Sequence, residues 1–345
     1  MIPVRSLITN NVIRFQNVQI HDLADTKVEV FTVGDENYLM HIGKGASQMA
    51  KSVVAPKPTS IESAKLGNYY YWYTIPLHNY YHCILDGIGQ LSWYFELRKQ
   101  IPNLKLVLNA TPKPPLVKHP PFVTELLDLF DIEYEYSDCN TIYDTVYFGL
   151  TLGQDSNGKR IRPHDRQYEL IRELIDRAKD RVTVPQFDRI YLSRRAHANP
   201  LNNRKDIIGE DNTVKRGITN EDEIVDILSS LGYTEVFGEN YTLAEKIVLF
   251  NGMKKYISSA GAGVTNILWS MPNPLSVGGI HSPGFGFPVQ NHNRHICTHP
   301  DQLKATINCY PGKVCFVDEQ AGAKDYNSPW YVNNLEAFRK WAATI

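Results

Sequence analysis

The sequence has no excess of charge of either sign. Lysine and arginine together number 36, aspartate and glutamate 37, and the formal net charge at pH 7 is −1. Without a positive surplus, a protein has no general electrostatic attraction for nucleic acid or anionic lipid. We therefore expect no nucleic-acid partner, and any anionic ligand must be bound by a local group of basic residues.

Long apolar runs are also missing. No stretch approaches the ~20 apolar residues that a membrane-spanning helix needs. The first residues, MIPVRSLITNNVIRF, do not combine a charged segment with a long apolar one, as a secretory signal would. The sequence thus predicts no membrane span and a cytoplasmic location.

Cysteine is scarce, with five residues and no Cys-x-x-Cys pair. An odd number without paired spacing argues against a disulfide framework and fits a reducing compartment. One loose series of metal-ligand types occurs in a segment rich in glycine and proline, but its spacing matches no standard zinc pattern. We expect no metal there and interpret the segment as a loop or as the lining of an acceptor cleft; the series is His281, His292, His295, Cys297 and His299.

The length and the hydrophobic pattern predict two α/β domains. A chain of 345 residues is longer than a single hydrophobic core usually accommodates. After Pro185, short apolar strands alternate with amphipathic helices, and this alternation is typical of right-handed βαβ units in a parallel sheet. The predicted domains are residues 1–185 and 186–325. We expect the last helix, within residues 326–345, to pack back on the first domain.

Specific elements carry this prediction. Strands are expected at Asn68–Ile75, Leu104–Leu108, Arg189–Ser193, Lys255–Ser258 and Leu275–Ile280, and helices at His78–Arg98, His164–Arg181, Glu221–Leu231, Thr242–Phe250 and Asn334–Ala343. Asn220 and Thr242 stand three residues before a glutamate, which predicts a capping box at both helices.

A glycine-rich turn stands between a predicted strand and a predicted helix, at Ser258–Asn266. Glycine lets the backbone approach a ligand closely, and a helix N-terminus offers unpaired N–H groups to a phosphate. The alternative is a tight turn that binds nothing. The spacing is not a dinucleotide fingerprint, because Asn266 stands where the third glycine would be.

Basic residues cluster in the same half of the chain. Arg194 and Arg195 end its first strand, and guanidinium groups at the carboxyl end of a parallel strand can bind a pyrophosphate. The cluster continues with Arg204, Lys205, Lys215 and Arg216. Singly, such residues are typical of a solvated loop; together with the glycine turn they predict an anion site.

His82 and Asp86 are candidate acid–base residues. Residues four apart lie on one face of a helix, and a histidine beside a carboxylate is a plausible general base. The alternative is an ordinary pair of helix neighbours.

These motifs, in this order, resemble glycosyltransferase family 61. The segments are NYYHCILDGIGQL and RIYLSRR through KRGITNEDEIVDILSSLGYTEVFGENYTLAEKIVLFNGMKKYISSAGAGVTNILW. The resemblance implies a GT-B architecture, in which two Rossmann-like domains face each other across a cleft, and an inverting transfer without metal. It implies donor-phosphate binding by Arg194, Arg195 and Arg216. It also implies a donor turn at Gly261, Ala262, Gly263 and Asn266, with His82 and Asp86 beside the acceptor. Because inverting transferases commonly use a carboxylate, Asp86 is the expected general base and His82 the residue that orients it; the reverse assignment is the alternative.

The chain departs from the family pattern at several positions. Ala260 replaces a histidine before the turn, Gly278-Gly279 stand where an acidic residue is frequent, and residues near 199–214 form an insertion. The expected partners are a nucleotide sugar, with UDP as the nucleotide, and a glycan or glycoconjugate acceptor. Two other functions remain open: a degenerate transferase that only binds glycan, and a nucleotide-binding oxidoreductase.

Overall fold

A computed structural model gives the architecture. It describes residues 4–5, 12–21, 28–33, 36–43, 46–52, 61–72, 79–110, 119–149, 165–195, 218–259, 261–281, 305–311, 313–314 and 330–345. The described chain divides into two compact units, one up to Leu170 and one from Ile171 onward. The division falls within a helix, earlier than the predicted boundary at Pro185. In the described residues, no helix is long and apolar enough to cross a membrane.

The N-terminal unit is built on a nine-stranded mixed sheet. The strands follow the order β5-β4-β3-β2-β9-β6-β7-β8, and β1 pairs with β2. Their bounds are β1 Val4–Arg5, β2 Val12–Ile20, β3 Val28–Val33, β4 Glu36–Gly43, β5 Ala46–Ser52, β6 Ser63–Trp72, β7 Lys105–Leu108, β8 Tyr134–Tyr136 and β9 Thr141–Gly149.

Only half of this sheet is Rossmann-like. The four strands β9, β6, β7 and β8 are parallel to one another, whereas β1 to β5 pair antiparallel and β2 joins β9 antiparallel. Only two residues separate β3 from β4 and β4 from β5, which is too short for a parallel crossover. The expectation of a Rossmann-like first domain is therefore correct for its parallel half alone.

Helices follow the parallel strands. They are α1 Tyr80–His82, a π-helical turn Cys83–Gly87, α2 Ile88–Gln100, α3 Pro121–Leu129 and α4 Asp165–Arg181. The core beneath them is aromatic: Tyr69 to Trp72 are all buried, as expected of a strand covered on both faces. Phe31 lies at the centre, with its ring 5.2 Å from that of Tyr71 and 4.7 Å from that of Phe148.

The C-terminal unit has a five-stranded, fully parallel sheet in the order β11-β10-β12-β13-β14. Its elements are β10 Arg189–Leu192, α5 Glu221–Ser230, β11 Thr234–Val236, a 3-10 helix Gly238–Asn240, α6 Leu243–Asn251, β12 Lys255–Ser259, a 3-10 helix Ala262–Ser270, β13 Leu275–His281 and β14 Ala305–Pro311. Two short strands, β15 Lys313–Val314 and β16 Trp330–Tyr331, pair antiparallel, and α7 Leu335–Thr344 follows. The predicted βαβ alternation is confirmed here.

The last helix, α7, contributes to the buried core of the C-terminal unit, and the expectation that it also packs on the first domain stays a prediction. Phe338 and Ile345 share one buried cluster with Tyr191 and Ile224. The reason is apolar burial: one face of α7 carries the apolar residues that cover α5 and the end of the parallel sheet.

One predicted capping box is confirmed and the other is wrong. Thr242 and Glu245 form the reciprocal cap of α6. Asn220 makes no cap bond to α5; its side-chain amide instead donates to Val332 O (2.9 Å) and accepts from Val332 N (3.0 Å). The Asn220 side chain thus bonds to the C-terminal segment at Val332, although the sequence pattern predicts that it caps α5.

Candidate active site

The first candidate group lies in the N-terminal unit, where the chain enters its first helical segment. Asn79 caps α1, its side chain accepting from Tyr81 N (3.0 Å). His82 and Asp86 meet as expected, with His82 Nδ1 2.6 Å from Asp86 Oδ2. The His82 side chain is 40% exposed and that of Asp86 10%. The carboxylate is therefore placed to orient the imidazole, whose other edge is the more accessible part of the pair.

A π-helical turn, Cys83–Gly87, places Asp86 in this position. π-Helical turns interrupt the α-helical hydrogen-bond ladder and occur often at functional sites. Two carbonyls of the turn accept from outside: Leu85 O from Gln167 Nε2, and Gly87 O from Trp72 Nε1 (3.2 Å). Side chains of a neighbouring strand and helix therefore hold the turn that carries the pair.

Cys83, within the same motif, is structural. It is completely buried, and burial, followed by the charge of Asp86, raises the pKa of its thiol. A thiol that stays protonated is a poor nucleophile. The chemistry of this segment thus rests on His82 and Asp86.

The second candidate group lies at the reversal of strand order in the C-terminal sheet. β10 has β11 on one side and β12 on the other, and ligands of open parallel sheets bind outside the carboxyl ends at such a switch point. Leu192 is level with Ser258. The residues that follow, Arg194 after β10 and Gly261 after β12, consequently leave the sheet side by side.

The glycine turn fits tightly against β10. A Cβ on Gly263 would lie 2.4 Å from Leu192 Cδ2, so a larger residue would displace that side chain. The first bond of the 3-10 helix joins Val264 N to Gly261 O (3.2 Å), and the N–H groups of Ala262 and Gly263 precede its ladder. These N–H groups therefore lie at the start of the 3-10 helix, before its own hydrogen bonds begin.

Asn266 has a supporting role in the turn. The Tyr256 hydroxyl donates to Gly263 O (2.8 Å), and the side chains of Ser258 and Asn266 hydrogen-bond to the same phenol. Burial raises the pKa of Tyr256, and these two bonds partly offset the rise. Asn266 is itself buried, so it acts on the turn through Tyr256.

A buried carboxylate fixes Arg194. Glu221, the first residue of α5, is 3% exposed, and its Oε1 accepts from Tyr191 OH (2.7 Å), Ser193 Oγ (2.9 Å) and the Arg194 backbone N (2.9 Å). Burial, and next the charge of Glu221, raises the pKa of Tyr191 far above its usual range. The Tyr191 phenol therefore stays a hydrogen-bond donor.

Arg195 faces carboxylates of its own unit. Its guanidinium pairs with Glu235 and with Asp222, and these bonds raise its pKa further. The Arg195 side chain is thus bound within its own unit. Sequence reasoning missed Glu221, Glu235 and Gln167; the clustering of Glu221 and Asp222 at a helix start was the available signal for the first.

Several predicted positions lie outside the described residues. These are Arg216, Ala260, the insertion near 199–214 and the side chains of the histidine–cysteine series. Within the described ranges no three His, Cys, Asp or Glu side chains are grouped as a metal site would require. The departure at Gly278 has a packing reason, since a Cβ there would lie 2.9 Å from both Ile257 Cγ1 and Trp341 Cη2.

Comparison with known proteins identifies the family. No curated protein matches the chain. The family model for glycosyltransferase 61 matches residues 80–277, from the start of α1 into β13. This range contains both candidate groups and more than half of the 345 residues. The chain therefore belongs to glycosyltransferase family 61 and is a glycosyltransferase.

Proposed function

We propose that this glycosyltransferase moves a sugar from a nucleotide donor, with UDP as the nucleotide, to a hydroxyl group of a glycan or glycoconjugate. The transfer inverts the anomeric carbon and needs no metal. The observation that carries the proposal is the switch point in the C-terminal sheet, where Arg194 and the glycine turn leave neighbouring strands. The GT-B arrangement and the cytoplasmic location stay predictions.

The donor site is proposed at that switch point. Arg194 and the N–H groups of Ala262 and Gly263 would meet the negative charge of the leaving diphosphate. Two buried hydroxyls beside the turn, Ser259 Oγ and Thr265 Oγ1, have no hydrogen-bond partner in the part of the chain that the structure describes. Because buried polar groups are nearly always bonded, such groups are typical of a site that a ligand completes.

The base is proposed in the N-terminal unit. The greater exposure of His82 favours His82 as the proton acceptor and Asp86 as the group that orients it, the reverse of the order that the sequence slightly favours. The acceptor hydroxyl would give its proton to His82 while its oxygen attacks the anomeric carbon. The bond from that carbon to the phosphate oxygen breaks, and the electron pair leaves with the nucleotide diphosphate.

The first experiment is thermal unfolding with UDP, GDP, CDP, CMP, ADP and NAD, each with and without EDTA. A ligand at about 100 times its Kd that binds only the folded state adds about 2.7 kcal/mol. We expect one nucleoside diphosphate to raise Tm equally with and without EDTA. Arg194→Ala should abolish the shift, whereas Arg195→Ala, which removes an internally paired side chain, should keep most of it.

Three results would contradict the proposal. A shift that survives in Arg194→Ala would place the donor elsewhere. No shift with any nucleotide would favour the second candidate, a degenerate transferase that binds glycan without turnover, which the substitution of Ala260 for the family histidine motivates. A shift with NAD alone would favour an oxidoreductase.

A further inference from the structure

The N-terminal unit carries a rigid, exposed aromatic pair at the carboxyl edge of its parallel strands. In the strand register, Trp72 is level with Leu108, and Leu108 is level with Tyr136. Neighbouring strands lie about 4.8 Å apart, so the Tyr136 backbone is roughly 10 Å from that of Trp72. The Trp72 indole N–H donates to Gly87 O, at the end of the π-helical turn that carries the proposed base.

Tyr136 is exposed but held in one orientation. It is 47% exposed, and its ring is stacked on that of His119, with centroids 6.1 Å apart and planes 5° from parallel. Tyr134 meets the Tyr136 ring edge-on at 5.8 Å. A surface tyrosine packed on two sides presents a fixed flat face.

The stack is anchored in the core of the sheet. His119 Nε2 hydrogen-bonds to Asn109 O (2.8 Å), and the fully buried Asn109 donates from Nδ2 to Tyr71 OH (3.0 Å). Burial lowers the pKa of His119 more than the bond to Asn109 raises it. The imidazole is therefore neutral at neutral pH, and the aromatic surface carries no charge.

The aromatic pair also lies close to the motif that carries the proposed base. His119 stands three residues before Phe122, whose ring contacts that of Tyr80 at 5.4 Å. Tyr80 stands two residues before His82 in the same helical segment. The start of α3 thus links the aromatic pair, through the chain, to the segment that carries the proposed base.

We propose that the stacked Tyr136–His119 pair binds a pyranose ring of the acceptor. This inference rests on the proposed function, and it names a neutral saccharide as the acceptor class. A pyranose presents C–H groups on one face and hydroxyls at its rim. A flat aromatic face with a polar edge complements both. A lone surface tyrosine needs no explanation; a tyrosine that is stacked and anchored to the core, in the unit that carries the proposed base, does.

The test measures binding of neutral di- to tetrasaccharides of glucose, galactose, mannose and xylose by saturation-transfer NMR and titration, without nucleotide. We expect at least one series to bind, with saturation transferred from tyrosine protons. Tyr136→Ala should weaken its affinity about 3- to 10-fold, as an aromatic contact predicts, and Tyr136→Trp should retain it. Leu66→Ala, which removes an 84% exposed leucine of the same unit, is the control and should change nothing.

The outcomes separate this inference from the proposed function. If a nucleotide stabilises the chain and Tyr136→Ala binds every saccharide as wild type, the aromatic surface is wrong and the transferase proposal stands. If no nucleotide binds but saccharide affinity depends on Tyr136, the surface stands and the transferase proposal fails. Absence of saccharide binding by the wild type also overturns the surface. Thermal unfolding of Tyr136→Ala, with an unchanged Tm expected, excludes misfolding as the cause.

Discussion

The two candidate groups are held in place by different kinds of interaction. Arg194 and the glycine turn lie where they do because β10 and β12 are adjacent parallel strands at a switch in strand order. His82 and Asp86 depend on a π-helical turn whose carbonyls are bound by distant side chains, Gln167 and Trp72. One site is a product of sheet topology, the other of individual hydrogen bonds.

The difference bears on how each site should respond to mutation. Sheet topology is supported by many backbone bonds, so no single side chain decides it. A turn outside the regular helical ladder is stabilised by few hydrogen bonds, so the loss of any one of them should change its position. We therefore expect the N-terminal pair to act as a unit. In the C-terminal group the strand positions should tolerate substitution, and a side chain should matter where β10 ends, at the buried carboxylate of Glu221.

The largest expected effect is on the His82–Asp86 pair. We predict that His82→Gln and Asp86→Asn each lower kcat roughly 10²- to 10⁴-fold, because a positioned base contributes about that much. The double variant should lose little more than either single one, since residues that act as a unit are not additive. The measurement is kcat with a saturating donor. Nucleotide binding by thermal shift should stay unchanged and serves as the control.

Other results would alter the assignment. If His82→Gln kept the wild-type kcat and Asp86→Asn lowered kcat, Asp86 would be the base and His82 the residue that orients it. Strict additivity would mean that the two side chains act separately, which would contradict the short Nδ1–Oδ2 contact as a functional one.

Much of the C-terminal unit could be predicted from its sequence. Strands and helices alternate there, a capping box starts α6, and Gly232, with φ of 81°, follows α5. Each of these signals is local, and the parallel order follows from general rules of chain connection. The antiparallel half of the first sheet could be predicted only in part, because strands β2 and β5 do not alternate clearly and β2 pairs with β9, which is distant in sequence.

The site was predictable to a similar extent. The i, i+4 spacing gave the contact of His82 with Asp86, and the order of motifs gave the family. The partners of these groups were not visible, because Gln167 is far from Leu85 in sequence and Glu221 far from Tyr191. Hydrogen bonds between distant residues leave no periodic pattern, so the structure was needed to find them.

An intermediate effect is expected at Glu221, the carboxylate that aligns the end of β10. Glu221→Ala would leave two buried hydroxyls and one partly buried backbone N–H without their acceptor, and we predict a loss of about 3 kcal/mol in the free energy of unfolding. Because Arg194 N is one of these donors, nucleotide affinity should fall as well. Urea unfolding and nucleotide titration measure the two effects.

Asp222→Ala is the matched control. Asp222 is the next residue of α5, and its 85% exposed side chain pairs with Arg195. An exposed ion pair contributes about 0 to 1 kcal/mol. Equal losses in the two variants would mean that burial of Glu221 does not matter and that its three hydrogen bonds do not align the end of β10.

The smallest effect compares two glutamines of the N-terminal unit, and here the signs should be opposite. Gln167 donates to Leu85 O of the π-helical turn. The fully buried Gln90 has neither Nε2 nor Oε1 bonded to a partner in the described structure. Gln167→Met should cost about 1 kcal/mol and lower kcat modestly, since the turn loses a support. Gln90→Met should add about 1 kcal/mol, because a buried amide without partners is replaced by an apolar side chain of similar shape. The urea unfolding midpoints of the two variants, compared at an unchanged m value, measure both changes in stability.

If both variants lose stability, Gln90 has a partner such as an internal water. A loss of acceptor affinity in Gln90→Met would instead assign that amide to the saccharide site.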